Sequence, residues 1–333
     1  MYSFLRGTRP ILGAMILAAT TVLPVKPAIA VEGGIGAYFI GTRDTFAGFV
    51  PEAGTYTALT FDHLNGSVQG LSLGGLPIAA DADVQLNLWR LNVTQVFDAQ
   101  VFGGTPAIDI TLPYVIGDLS FTAIRPPLQG ASISDTASGL TDVTVTGLVG
   151  WHRGNLHFST GLSVFVPTGD YQTASINVAN RTINALSVGK NVWSFQPYLA
   201  ATWFVPERGF EASGAISLLV SEKNDATDYQ TAPALQLEGA VLQRFRSGWG
   251  VGLAGYTYQQ LDDDSGRGAD ALKIALGASS LKARVSGIGP IVTYSGGTLL
   301  GAEASIKLKY THEFSAKRRL ESDIVTAQLS LAF

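Results

Sequence analysis

The sequence has no cysteine and little charge. Of its 333 residues none is Cys and only four are His. Without Cys there can be no disulfide framework, thiolate zinc site or cysteine nucleophile. Charged residues make up 14% of the chain, well below the roughly 25% that is usual in soluble domains. This composition suits a sheet that faces surroundings less polar than water.

The sequence also lacks the features of nucleic-acid and nucleotide binding. The formal net charge is -4 and is spread along the chain, so there is no basic stripe that could neutralise phosphates. The glycines of Gly33-Gly34-Ile35-Gly36 have no strand before them and no helix after them, which a dinucleotide-binding motif requires. We expect no nucleic-acid partner and no cofactor.

The first 30 residues have the features of a secretory signal peptide. Arg6 and Arg9 precede an uncharged, mostly apolar stretch from Ile11 to Leu23, and Ala28-Ile29-Ala30 offers small residues for cleavage after Ala30. The alternative is a membrane anchor, but a spanning helix needs roughly 20 apolar residues. No later run is long enough, so a mature chain that spans a membrane must use strands.

The carboxyl-terminal segment alternates between apolar and polar residues. Val325, Ala327, Leu329, Leu331 and Phe333 share one face, whereas Thr326, Gln328, Ser330 and Ala332 share the other. A strand of a soluble sandwich and a lipid-facing barrel strand both give this pattern. The terminal aromatic residue is more informative, because outer-membrane barrels resemble one another in this feature. We therefore predict that Phe333 is the signal read by the barrel-assembly machinery.

The same period of two recurs along the mature chain and predicts about twelve strands, within a range of 10 to 14. They are expected to begin near residues 55, 84, 105, 141, 155, 192, 210, 233, 248, 284, 300 and 323. Short connections at 102–104, 153–154, 205–209, 247 and 295–299 alternate with long ones at 117–140, 167–191, 222–232 and 261–283. Bacterial outer-membrane barrels have short periplasmic turns and long outer loops. The prediction is an all-β, transmembrane antiparallel barrel over residues 55–333, in contact with outer-membrane lipid and lipopolysaccharide of a Gram-negative bacterium.

A barrel of this size has an interior wider than side chains alone can fill. Five charged residues fall on the polar faces of their strands and are predicted to line the lumen, where pairing among them would narrow a pore. They are Glu211, Glu238, Arg244, Lys307 and Lys309.

Residues 31–54 precede the first clear strand and are rich in glycine and aromatic residues. They carry Tyr38, Phe39, Phe46 and Phe49. One interpretation is a plug that folds into the lumen, and the alternatives are a periplasmic tail or an extra strand.

Metal binding and catalysis are not expected. The acidic stretch Asp262-Asp263-Asp264 lacks the twelve-position spacing and terminal Glu of a calcium loop. Among the four histidines only His157 shares a polar strand face with serines, Ser159 and Ser163. Neighbours on one strand face do not form a nucleophile and base without a third, orienting group.

Several blocks of the sequence resemble one family of outer-membrane proteins. They are residues 166–171, 189–197, 224–229, 252–259 with 262–264, and 310–314, together with Glu32-Gly33-Gly34 and Tyr38. These blocks are similar to those of the phenol-degradation meta-pathway family, whose members are viewed as transporters similar to hydrophobic-solute channels. The resemblance implies passive uptake of small apolar or aromatic compounds. A surface-interaction protein that conducts nothing, and a soluble exported sandwich, are the alternatives.

Overall fold

The computed structural model describes residues 27–28, 36–73, 76–124, 126, 128–173, 175–177 and 182–333. Most of the predicted signal peptide, its cleavage position at Ala30 and the motif at Glu32-Gly33-Gly34 lie outside the described residues. The elements are β1 (Pro27–Ala28), β2 (Gly54–Leu73), β3 (Leu76–Val96), β4 (Thr105–Thr122), β5 (Ser132–Leu140), β6 (Val143–Arg153), β7 (Leu156–Val166), β8 (Ser175–Asn177), β9 (Thr182–Asn184), β10 (Ser194–Val205), β11 (Phe210–Ser221), β12 (Ala234–Arg244), β13 (Trp249–Gln260), α1 (Arg267–Leu276), β14 (Arg284–Leu299), β15 (Ala302–Lys317) and β16 (Glu321–Ala332).

Twelve strands form a closed antiparallel barrel, which confirms the predicted fold. The order around the wall is β2, β3, β4, β6, β7, β10, β11, β12, β13, β14, β15 and β16. The sheet closes because β2 pairs with β16 on one side and with β3 on the other. Closure pairs the backbone groups that an open sheet would leave exposed at its edges.

Three predicted boundaries were wrong. β3 begins at Leu76 and not near residue 84, because residues 76–80 form a short apolar run without alternation, yet they pair with the end of β2. Residues 295–299 belong to β14 and are not a turn; the turn is at Leu300 and Gly301, which both have positive φ. The predicted long connection 117–140 contains the end of β4 and all of β5.

The period of two separates an apolar outside from a polar inside. Along β10, Leu199 and Trp203 are 61% and 52% exposed, while the alternating Gln196 and Thr202 are fully buried. β15 shows the same alternation, with exposed Leu308 between inward-facing lysines. No helix in the described ranges is long and apolar enough to cross a membrane.

The two ends of the barrel differ in their connections. We call the end that carries the carboxyl terminus the proximal end; there the backbone of Phe333 pairs with that of Thr55. The connections at this end are short, with Gly154-Asn155 and Leu300-Gly301 the shortest. The long connections, including the one that contains α1, lie at the opposite, distal end. The long connections therefore lie together at one end, as predicted, but the same distal end also carries two short connections, since β2 and β3 are separated by two residues and β15 and β16 by three.

The wall is interrupted at one place on its distal half. β4 pairs with β5 over Tyr114–Thr122 and with β6 over Thr105–Thr111. β6 continues into pairing with β7, but among the described strands β5 has no ladder partner on its other edge. Residues 185–188 pack against the inward face of β5 beside this edge, where the carboxylate of Asp135 accepts the backbone N–H groups of Ala185 and Leu186. We call this place the wall gap.

Candidate functional site

Residues 36–53, which precede β2, lie inside the barrel. We call them the lumen segment. Tyr38 is 8% exposed and its ring meets Phe165 of the wall, whereas Phe39 lies beneath the guanidinium of Arg90. Phe46 and Phe49 pack against each other near the proximal end.

Glu238 on β12 anchors the first turn of the lumen segment. Its carboxylate accepts the Tyr38 hydroxyl at 2.8 Å and the Gly41 backbone N–H at 2.6 Å. Arg43 lies 3.9 Å from the same carboxylate and also donates to Gln196 and Ser163. A buried carboxylate is stable only when such donors replace its lost water.

Asp44 anchors the middle of the segment to β15. Its carboxylate lies 2.8 Å from Nζ of Lys307 and 2.9 Å from Nζ of Lys309. The two lysines are alternate residues on one strand face, so they share a side of the wall. Lys309 also donates to the backbone oxygen of Gly41.

Glu211 and Arg244 hold the part of the segment nearest the proximal end. They pair at 2.5 Å. Glu211 also accepts the Thr45 hydroxyl at 2.8 Å and the Phe46 backbone N–H at 2.7 Å. The Arg244 guanidinium lies over the Phe46 ring, 4.2 Å from its centroid.

The structure places all five charged residues that the sequence suggests for the lumen on β11, β12 and β15. Only Glu211 and Arg244 pair with each other. The other three are paired with Arg43 and Asp44 of the lumen segment, which the sequence analysis did not single out. The available signal was a pair of lumen lysines whose nearest neighbours on the same strand face, Ser305 and Thr311, are uncharged, which favours an anion from elsewhere in the chain.

A glycine allows the segment to touch the wall. The Gly48 backbone N–H donates to the Thr202 hydroxyl at 3.0 Å, and an ideal Cβ at position 48 would lie 2.6 Å from the Cα atom of Ala201.

We expect Gly48→Val to push residues 46–50 away from the wall, because backbone atoms cannot yield as a flexible side chain can. Tryptic cleavage after Arg43, followed by mass spectrometry, should become severalfold faster. Gly147→Val is the matched control, since a Cβ there meets nothing within 4 Å; equal rates in both variants would contradict the expectation.

The lumen segment occupies one side of the barrel and leaves a cavity of about 810 Å³ on the other. Its apolar lining includes Val84, Leu86, Val96, Val115, Leu119, Leu148, Leu186 and Val188. Its polar lining includes Thr60, Arg90, Asn92, Thr94, Asp109, Thr111 and Thr144. The cavity therefore combines an apolar surface with a band of hydrogen-bonding groups.

Two carboxylates lie in or next to the polar band. Asp62 lies behind the lining residues Arg90 and Thr326; it is paired with Arg90 at 2.6 Å and accepts the Thr326 hydroxyl at 2.7 Å. Asp109 instead accepts uncharged donors, the hydroxyl groups of Thr94 at 2.8 Å and Thr111 at 3.0 Å. Asp109 therefore retains acceptor capacity toward a molecule in the cavity.

The cavity extends from the proximal end of the barrel to the wall gap at the distal end. Val50 packs against Val96 and Ala107 near the proximal end, where Pro51 and Tyr56 also line the cavity. The distal lining includes Leu186 and Val188 from the residues beside the wall gap. Leu186 and Val188 belong to a loop whose backbone N–H groups at Ala185 and Leu186 are held by the carboxylate of Asp135 on β5.

The distal loops are tied together by charged groups. Arg267 of α1 and Lys223 both contact the carboxylate of Asp228, and these hydrogen bonds lower the pKa of Asp228 to about 2. Because the pKa is lowered, the link is fully formed above the ordinary carboxyl range and is lost only as pH falls toward 2. Asp263 accepts Ser280 and Leu281, and Asp264 accepts Tyr229, so this acidic stretch holds the loop. Within the described residues, no three His, Asp or Glu side chains converge on a point.

Comparison with known proteins identifies the family. The model of the family described as "Putative MetA-pathway of phenol degradation" matches residues 44–329. The chain belongs to this family. The match covers the lumen segment from Asp44 onward and all twelve strands of the barrel except the last residues of β16. No curated protein matches the sequence significantly.

Among solved structures, an outer membrane channel from Pseudomonas putida F1 has the same fold. Its TM-score is 0.60 at 12% identity, and the alignment covers 86% of this chain and 97% of that chain. The CymD monoaromatic hydrocarbon channel aligns at a TM-score of 0.46 and 8% identity, covering 95% of this chain and 99% of that chain. The β domain of the Bordetella autotransporter BrkA gives 0.42 at 12% identity, with 85% and 100% covered. These two TM-scores are too low to bear on the function.

Proposed function

We propose that the protein is an outer-membrane channel for the passive uptake of small apolar or aromatic compounds by a Gram-negative bacterium. The observation that carries this proposal is the cavity of about 810 Å³ inside a closed barrel whose outside is apolar. Small-molecule sites are typically clefts of about 300–1,000 Å³ with mostly apolar linings. The lining here has that character.

The proximal end would face the periplasm. Short turns lie at the periplasmic end of bacterial outer-membrane barrels, and long loops lie outside. In this orientation the apolar belt contacts lipid, the distal loops meet lipopolysaccharide, and Phe333 is the assembly signal. Residues 1–30 would be removed as a signal peptide, 31–54 would act as the plug and 55–333 would form the barrel.

The route that best fits the geometry enters between the distal loops and leaves through the wall gap. In this proposal Val50 and the aromatic rings of Phe46 and Phe49, which pack near the proximal end, obstruct the direct way to the periplasm. An apolar solute in the cavity would contact Leu186 and Val188, which lie beside the strand β5 at the wall gap. Movement down a gradient through this opening requires no energy coupling.

We do not propose catalysis. The Nδ1 atom of His157 faces His152 and its ring packs on Phe49, so it does not activate a serine. The competing function is a surface-interaction protein that conducts nothing. Transport is supported over this alternative because one continuous cavity runs from the apolar residues at the distal end to the polar residues in the barrel interior, which a surface-interaction protein does not need.

Uptake in intact cells tests the proposal. Apolar solutes cross simple bilayers unaided, so the test needs an outer membrane that retains lipopolysaccharide. We expect a deletion strain to take up a labelled monoaromatic compound severalfold more slowly than the complemented strain, with sugar uptake unchanged. Equal rates in the two strains would leave the surface-interaction function.

Asp109 is expected to favour solutes that carry a hydroxyl group. Asp109→Leu removes the acceptor, and a hydrogen bond to a charged group is worth about 1.5–3 kcal/mol, so phenol uptake should fall at least about tenfold relative to toluene uptake. The rates are measured in the complemented strain at low solute concentration. Thr144→Val is the control, because Thr144 also lines the cavity. A similar phenol-to-toluene ratio in both variants would show that Asp109 does not select solutes.

A further inference from the structure

Two histidines face each other at a proximal hairpin. His152 on β6 and His157 on β7 are cross-strand partners next to the turn at Gly154-Asn155. Their Nδ1 atoms are 2.6 Å apart, and their ring centroids are 4.9 Å apart. The positioning comes from the backbone register, because directly opposite residues of an antiparallel pair carry side chains on the same face.

The pair is open to solvent on one side and packed on the other. His152 is exposed and His157 is half-buried. Phe49 of the lumen segment lies against both rings, with centroids 5.1 Å and 4.8 Å away. In the part of the chain that the structure describes, neither ring forms an ion pair with a carboxylate.

This arrangement is close to that of a bidentate metal chelate. A metal–imidazole bond is about 2.0–2.1 Å long, so two nitrogens on adjacent coordination positions lie roughly 3 Å apart. The observed separation is a few tenths of an ångström shorter, and rotation of the exposed His152 ring can open it. Water from the proximal mouth can fill the remaining coordination positions.

We propose that His152 and His157 bind a divalent transition-metal ion at the proximal mouth of the barrel. Imidazole suits Cu²⁺, Ni²⁺ and Zn²⁺, and the general order of affinity places Cu²⁺ first. The site is separate from the solute cavity, because neither histidine lines it. It does not depend on the proposed transport function.

The test is a Cu²⁺ titration of the purified, folded protein without a polyhistidine tag, followed by calorimetry and electron paramagnetic resonance. We expect one Cu²⁺ per chain, with hyperfine splitting from two imidazole nitrogens. His152→Asn and His157→Asn should each weaken binding at least about tenfold, because each removes one of the two ligands and even the loss of a partner behind a ligand costs about 10–100-fold.

The chain supplies a matched control in its other two histidines. His63 contacts Asn87 and His312 contacts Asp323, both away from the hairpin. The double variant His63→Asn/His312→Asn should bind Cu²⁺ as the wild type does. Heat-modifiable migration on a gel shows that each variant is folded. Unchanged affinity in the two hairpin variants, or a spectrum without two imidazole nitrogens, would overturn the proposal and leave a hydrogen-bonded histidine pair.

Discussion

Deletion of residues 31–53 is expected to convert a nearly closed barrel into an open pore. The lumen segment occupies one side of the interior, and its residues 46–50 are held to the wall near the proximal end. A twelve-strand barrel without it has an interior wider than side chains can fill. Single-channel conductance in planar bilayers should therefore rise severalfold. Ending the deletion before Gly54 keeps β2 complete.

The deletion also removes partners from buried charges, so a milder variant is needed. Asp44→Asn keeps the whole chain but removes the anion shared by Lys307 and Lys309. Breaking a buried ion pair on one side costs about 3–5 kcal/mol, enough to release the segment for part of the time. We expect intermittent openings in this variant. Glu52→Gln is the control, because Glu52 is exposed.

Three outcomes are distinguishable. Openings in both the deletion and Asp44→Asn would show that the segment is a plug. Openings in the deletion alone would show that the other anchors, at Glu211 and Glu238, suffice without Asp44. Wild-type conductance in both variants, with folding confirmed by heat-modifiable migration, would show that residues 36–53 do not obstruct the path of ions.

The wall of the barrel could be predicted because its signal is local. Val325 and Thr326 occupy opposite faces whatever lies elsewhere in the chain, since period two follows from the strand backbone alone. The exposed Val325 and buried Thr326 agree with this. The turn at Gly154 was predictable for the same reason, as it interrupts two alternating segments.

The interior could not be predicted in the same way, because its contacts join distant residues. Asp44 and Lys307 are 263 positions apart, and no periodicity relates them. β5 was missed since Ser132–Leu140 has few large apolar residues, and it pairs with only one barrel strand. The cavity could not be predicted for the same reasons, because its position depends on which side of the interior the lumen segment occupies and on where β5 leaves the wall incomplete.

A disulfide across the wall gap is expected to block the exit of solutes. An ideal Cβ at Gly139 on β5 lies 3.5 Å from Cγ1 of Val188 in the residues beside the wall gap, so Gly139→Cys/Val188→Cys brings two thiols within bonding reach. The chain has no other cysteine to compete. Oxidation should fix residues 185–188 to β5 and reduce uptake of a labelled monoaromatic compound severalfold. Reduction with dithiothreitol should restore it.

The controls separate the gap from the cavity. Each single cysteine variant shows the effect of the substitution alone, and Ser305→Cys/Ser330→Cys places a cysteine pair in the intact wall between β15 and β16. Uptake in these three variants should not respond to oxidation. If the oxidised, disulfide-bonded protein takes up the compound as fast as the reduced protein does, solutes do not leave through the wall gap, and the route runs past Val50 to the proximal mouth. Gly48→Val loosens that end of the lumen segment, so a proximal route predicts faster uptake in this variant. A route through the wall gap predicts little change in its uptake.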